Sequence, residues 1–142
     1  MIGSILDNTT RQSAGSFGLL VLRVGTAGMM IYSHGWDKLA GFTEKSAVFP
    51  DPLGIGSAAS LALATFAEFF CAIAILLGFA TRVAALPLVI NMLVVVLVVH
   101  GADPFAKKEF ALLYAIPYIT LLFAGGGKYS LDAVLWSRSR GR

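Results

Sequence analysis

Apolar and polar positions alternate along this chain as long blocks. Residues 16–34, 58–79, 83–99 and 109–124 are nearly uninterrupted apolar runs, and the segments between them are charged or marked by glycine and proline. A helix rising about 1.5 Å per residue needs runs of this order to cross a hydrocarbon core about 30 Å thick. The pattern predicts an all-α membrane protein, a four-transmembrane-helix up-down bundle forming one domain over residues 1–142. The turn around Ala80–Arg82 is short enough to make the second and third helices antiparallel neighbours. The connection between the first two runs is long. It is punctuated by Gly41, Pro50, Pro52, Gly54 and Gly56, and it begins with WDKLAGF, whose mixture of aromatic, apolar and charged residues suits a short interfacial helix. Residues 1–15 read as a polar tail. Gly125, Gly126 and Gly127 end the last run, after which residues 128–136 predict a short amphipathic C-terminal helix with Ser130 as its N-cap and Asp132 in its first turn.

Composition agrees with the pattern: 57% of residues are hydrophobic, 13% are charged, and the mean hydropathy is +0.79. Those values lie outside the soluble globular range. The single cysteine, Cys71, sits in an apolar run, so neither an intramolecular disulfide nor a thiol-rich metal site is expected. The first apolar run is interrupted by Arg23 and followed by His34, Trp36 and Asp37 in place of a small-residue cleavage site, so it is expected to stay attached. Basic residues set the orientation. Arg11, Arg82, Lys128, Arg138, Arg140 and Arg142 fall on the side of the two ends, against Lys38, Lys45, Lys107 and Lys108 on the other side. This bias predicts both termini in the cytoplasm, in a bacterial cytoplasmic (inner) membrane. The basic C-terminal tail and a pI near 9.2 then reflect topology and anionic lipid, with no nucleic-acid partner expected.

Charged residues inside apolar runs are the candidate chemistry. Arg23 lies on a helical stripe with Ala27, Met30, His34 and Lys38, and Glu68 lies near the middle of the second run among small residues. Depth arithmetic from the run boundaries brings Arg23 and Glu68 within reach of each other, with Asn91 completing an intramembrane polar core. Pro87 is expected to kink the third helix. At the outer ends of the helices, His34, Lys38, His100 and Glu109 are the candidate catalytic residues. A histidine can relay protons near neutral pH and a lysine can hold an anion beside an apolar pocket. His100 is nine residues from Asn91, so its inward orientation requires an irregular end to the third helix. No metal site is expected from His34 and His100, which lie where interfacial histidines are common.

The segments LRVGTAGMMIYSHGWDKL, FAEFFCAIAILLGFATR, NMLVVVLVVH, EFALLY and GGGKYSLDA, in this order, resemble the DoxX family of small four-helix membrane proteins. The resemblance implies a membrane subunit of a quinone-linked oxidoreductase, of the type that passes electrons from thiosulfate or another donor to quinone. It also implies quinone as the cofactor and other redox subunits as partners in the bilayer, with a homo-oligomer as a further possibility. Two other classes fit the residues: a structural membrane partner of an enzyme complex, and a small-solute or proton transporter. A transporter would show an internal repeat, and Pro87 and Pro117 do not mark matching halves.

Overall fold

The first apolar run extends in both directions beyond the span its hydropathy predicts. In the computed structural model, which describes residues 8–140, α1 begins as Asn8–Met30, widens into a π-type turn over Ile31–Gly35 and continues as Trp36–Ala40. Of the polar tail expected over residues 1–15, residues 1–7 lie outside the described part, as does Arg142 at the other end, and the remainder is helix. The helix stops at Gly41, and a single turn, α2 (Phe42–Lys45), follows.

Helix α3 is built the same way as α1: Ser57–Thr65, a widened turn over Phe66–Cys71, then Ala72–Leu77. Gly78 ends it in the left-handed conformation, φ +71°, which costs a residue without Cβ nothing. Helix α4 follows as Thr81–Val94 and loosens into a third π-type turn, Val95–Val99. Helix α5 is Phe105–Ala124, and α6 is Leu131–Arg140. The described residues contain no strand.

Thr10–Ala40, Ser57–Leu77 and Thr81–Val99 are long and apolar enough to cross a membrane. Helix α5 has the length, but Lys107, Lys108 and Glu109 sit together near its start. Its main partner is α4, while α1 lies along the Ala72–Leu77 end of α3. The buried core between them is made of small and branched residues, Ala27, Ala67, Ala72, Ala85, Ala115, Ile75, Leu88 and Leu121. Small residues at helix contacts let backbones approach, which is what drives association where lipid removes the ordinary hydrophobic difference. The outward faces are apolar too: Phe66, Leu63, Leu86, Ile90 and Ile116 are all about half exposed on the isolated chain. That distribution belongs to an integral membrane protein.

Candidate functional site: a membrane cavity with a polar floor

Two widened turns meet at the centre. Gly35, in the π-type turn of α1, is buried against the backbone of Glu68 in the matching turn of α3, and a Cβ at Gly35 would collide with the Glu68 carbonyl. Widened turns of this kind leave the regular hydrogen-bond ladder and recur at functional sites. This one has a definite consequence: it brings α1 and α3 close enough for Lys38 to reach down to Glu68, since helical side chains lean toward the N-terminus of their own helix.

The Lys38 Nζ donates to Glu68 Oε2 at 2.5 Å, and Asn91 Nδ2, from α4, donates to Glu68 Oε1 at 2.8 Å. The Glu68 side chain is only 7% exposed and that of Lys38 16%. Both carboxylate oxygens are therefore satisfied by donors from two other helices, which is what a buried carboxylate requires. His34, one turn before Lys38, lies with its ring against Phe110 and Tyr114 of α5, both centroids at 5.7 Å. Its Nε2 is shielded and has no hydrogen-bond partner among the described residues. Tyr114 in turn stacks on Tyr118.

These groups form the floor of a cavity of about 580 Å³, lined by His34, Lys38, Glu68, Asn91 and Tyr114 at one end and by apolar side chains over nearly all the rest. The segment between α2 and α3 contributes Phe49, Pro50, Pro52, Leu53 and Ile55 to its outer wall, and Pro87 of α4 lies on a side wall. That segment is pinned by Asp51, which accepts from the Ile55 and Gly56 amides (3.0 and 2.8 Å) and from the Ser60 hydroxyl (2.8 Å). The Ser60 hydroxyl, then the Gly56 amide, hold the Asp51 carboxyl below the usual carboxylate range.

The expected outer cluster is divided. His34 and Lys38 face the cavity, but His100 and Glu109 are not on its wall. Val95–Val99 does make the irregular end to α4 that an inward His100 required. His100 nevertheless turns to the connecting loop, where its Nδ1 lies 2.8 Å from Asp103 Oδ2, and this contact holds Asp103 below the usual carboxylate range. Glu109 is exposed on α5, and its neighbour Phe110, about 100° further round the helix, takes the place on the wall. Tyr114 was not anticipated. The signal was there in the stripe Ala111, Tyr114, Ala115 and Tyr118, whose three- and four-residue spacing puts two small residues and two phenols on one buried face.

The expected Arg23–Glu68 pair does not form. Arg23 is 1% exposed, and its Nη2 donates to the Tyr129 carbonyl at 2.7 Å, in the segment before α6. The guanidinium lies against Gly78, where a Cβ would overlap it. Gly78 is ten residues from Glu68 along α3, or about 15 Å, so Arg23 belongs to the other end of the molecule. There Asp132 accepts from the Ala80 and Thr81 amides at 2.7 and 2.9 Å, capping α4, while its own amide donates to the Gly78 carbonyl at 2.9 Å. Ser130 Oγ accepts from the Ala133 amide at 3.2 Å and so caps α6.

An all-helical membrane protein with a buried lysine–carboxylate–amide cluster under an apolar cavity is the class these features define. A sequence model of the DoxX family matches residues 18–101, the stretch that holds His34, Lys38, Glu68 and Asn91, and the chain belongs to that family. No curated protein and no solved structure matched the chain.

Proposed function

We propose that this chain is the membrane subunit of a quinone-linked oxidoreductase, of thiosulfate:quinone or related type, in a bacterial cytoplasmic membrane. The cavity receives the quinone head group. In this reading α5 is a fourth crossing beside α4, with Lys107, Lys108 and Glu109 held at the outer interface, and both termini are cytoplasmic. The electrons come from a partner subunit of the complex.

One observation carries the reading: the unpartnered His34 Nε2 and the Lys38–Glu68–Asn91 cluster stand at the floor of an otherwise apolar cavity. A quinone ring needs apolar walls, donors for its carbonyls and a source of protons. His34 has a buried ring nitrogen that no side chain uses and that a turn of the ring presents to the cavity, and Lys38 has N–H groups beyond the one given to Glu68. Quinone, when bound, supplies the two-electron acceptor. The chain's residues hold the ring and deliver protons to its oxygens.

The test is equilibrium binding of a benzoquinone with a ten-carbon chain to the purified protein in phosphatidylcholine nanodiscs. His34→Phe should weaken binding by about tenfold, the cost of about one buried hydrogen bond, and Asn91→Leu should weaken it as well, because the Glu68 oxygen it frees competes for the Lys38 N–H groups. Unchanged affinity in both folded variants would overturn the reading.

A further inference from the structure

Helices α3 and α4 are in contact over only part of their length. Helix α4 packs along Phe66–Cys71 and Ala72–Leu77, whereas the outer turns Ser57–Thr65 pack instead on Trp36–Ala40 and α2. The two helices therefore diverge toward the outer face. Leu63 on α3 and Ile90 on α4 stand on either side of this gap. Both line the cavity, and both are about half exposed to the surroundings of the chain, at 56% and 53%. At that position on a membrane protein the surroundings are lipid. On the aqueous side, by contrast, the cavity is roofed by the segment that Asp51 pins to the start of α3.

Depth adds a second constraint. Ser57–Leu77 spans about 31 Å, and Glu68 lies about 16 Å along it, so the polar floor is near the middle of the hydrocarbon layer. A ligand whose head carries a charge would have to take it to that depth against the cost of desolvating it in hydrocarbon, and the floor is already a neutralised pair. An uncharged head on an apolar chain meets no such barrier.

We propose that the gap between α3 and α4 is a lateral portal. Through it a membrane-dissolved amphiphile, with an uncharged hydrogen-bonding head and a long apolar chain, passes from lipid to the Lys38–Glu68–Asn91 floor while its chain stays in the gap between Leu63 and Ile90. This rests on the cavity being a ligand site, as in the function proposed above, and adds the route and the chemical class. The pinned segment over the outer face is a closed roof.

The full-length protein in phosphatidylcholine nanodiscs provides the test, with three probes: the benzoquinone with a ten-carbon chain, the same ring with no chain, and decanol. In the unaltered protein the chained quinone should bind at least about tenfold tighter than the bare ring, because the chain buries apolar surface in the gap. Leu63→Trp with Ile90→Trp should slow association of the chained quinone and of decanol by about tenfold or more. Asp51→Ala, which unpins the roof, should leave both rates within about twofold. Equal affinity for chained and bare rings in the unaltered protein, a measurement that depends on no variant, would overturn the portal, as would faster association in Asp51→Ala. The two proposals fail differently. Decanol binding that the tryptophans slow, with no quinone bound, supports the portal and removes the quinone; bare-ring binding with no gain from a chain does the reverse.

Discussion

Replacing Lys38 by methionine keeps most of the unbranched stem and removes the charge, leaving the Glu68 carboxylate at 7% exposure with Asn91 as its one remaining hydrogen-bond partner in the cluster. Removing one partner of a buried ion pair costs about 3 to 5 kcal/mol, because the surviving charge is neither hydrated nor neutralised. Glu68→Gln should cost less, about 1 to 3 kcal/mol. The Asn91 donation survives on the amide oxygen, and the Lys38 ammonium, on a flexible stem near the outer end of α1, can swing to the interface. The double variant removes both charges from the interior and should lie within about 2 kcal/mol of the unaltered protein. The cycle then has a coupling of at least about 2 kcal/mol. Equilibrium unfolding in mixed detergent micelles, followed by far-ultraviolet circular dichroism, measures all four corners. Additive losses, agreeing within about 0.5 kcal/mol, would refute the pairing. The same cycle for Arg23→Leu with Glu68→Gln should be additive, since the two residues serve opposite ends of α3.

Gly35→Ala should destabilise by about 2 to 3 kcal/mol in the same unfolding assay, since its Cβ has no space beside the Glu68 carbonyl and α1 must move off α3. Asp132→Ala should cost about 1 to 2 kcal/mol through loss of the cap on α4, read by unfolding and by faster hydrogen exchange of the Ala80 and Thr81 amides. The Asp51 anchor should respond to acid. Its carboxyl titrates lower in the folded chain than in the unfolded one, so its contribution is complete above about pH 4 and disappears as the pH falls through the depressed folded value. Protection of the Ile55 and Gly56 amides should persist from pH 5 to 8 and be lost in acid, and Asp51→Ala, which has no side-chain acceptor, should lack the protection throughout.

Hydropathy located the long helices because a run of apolar residues is a local property, and the apolar faces that meet lipid need no partner to explain them. What it missed came from geometry that is not local. The widened turns at Ile31–Gly35 and Phe66–Cys71 shift the register of α1 and α3. The stripe from Arg23 through Ala27, Met30 and His34 to Lys38 does face inward, but its ends lie 15 residues, about 22 Å, apart, so one face serves two ends of the fold. Arg23 looked like the partner of Glu68 because its depth was counted from residue 16, where the apolar run begins. The helix starts earlier, at Asn8, and the level of Arg23 is set by Gly78 and Tyr129. Lys38 was placed in an outer cluster because its charge lay beyond the apolar run, and a flexible stem carried that charge inward. Ser130 and Asp132 were legible as a helix start because a cap is written in adjacent residues. That Asp132 caps α4 as well required knowing which turn lies beside it.

The cap that Asp132 places on α4 comes from 51 residues further along the chain, and the Tyr129 carbonyl that receives Arg23 comes from 106 residues further along. At synthesis rates of about 5 to 20 residues per second, the first nitrogen of α4 waits roughly 3 to 10 s, and Arg23 longer, for a partner to leave the ribosome. During that interval Arg23 is a cation in a membrane segment whose designated acceptor does not yet exist, and water or lipid head groups must stand in. Completion is thus a late event in biogenesis. A chain released before residue 129 would carry every apolar run and the whole of the cavity, yet leave Arg23 and the start of α4 open.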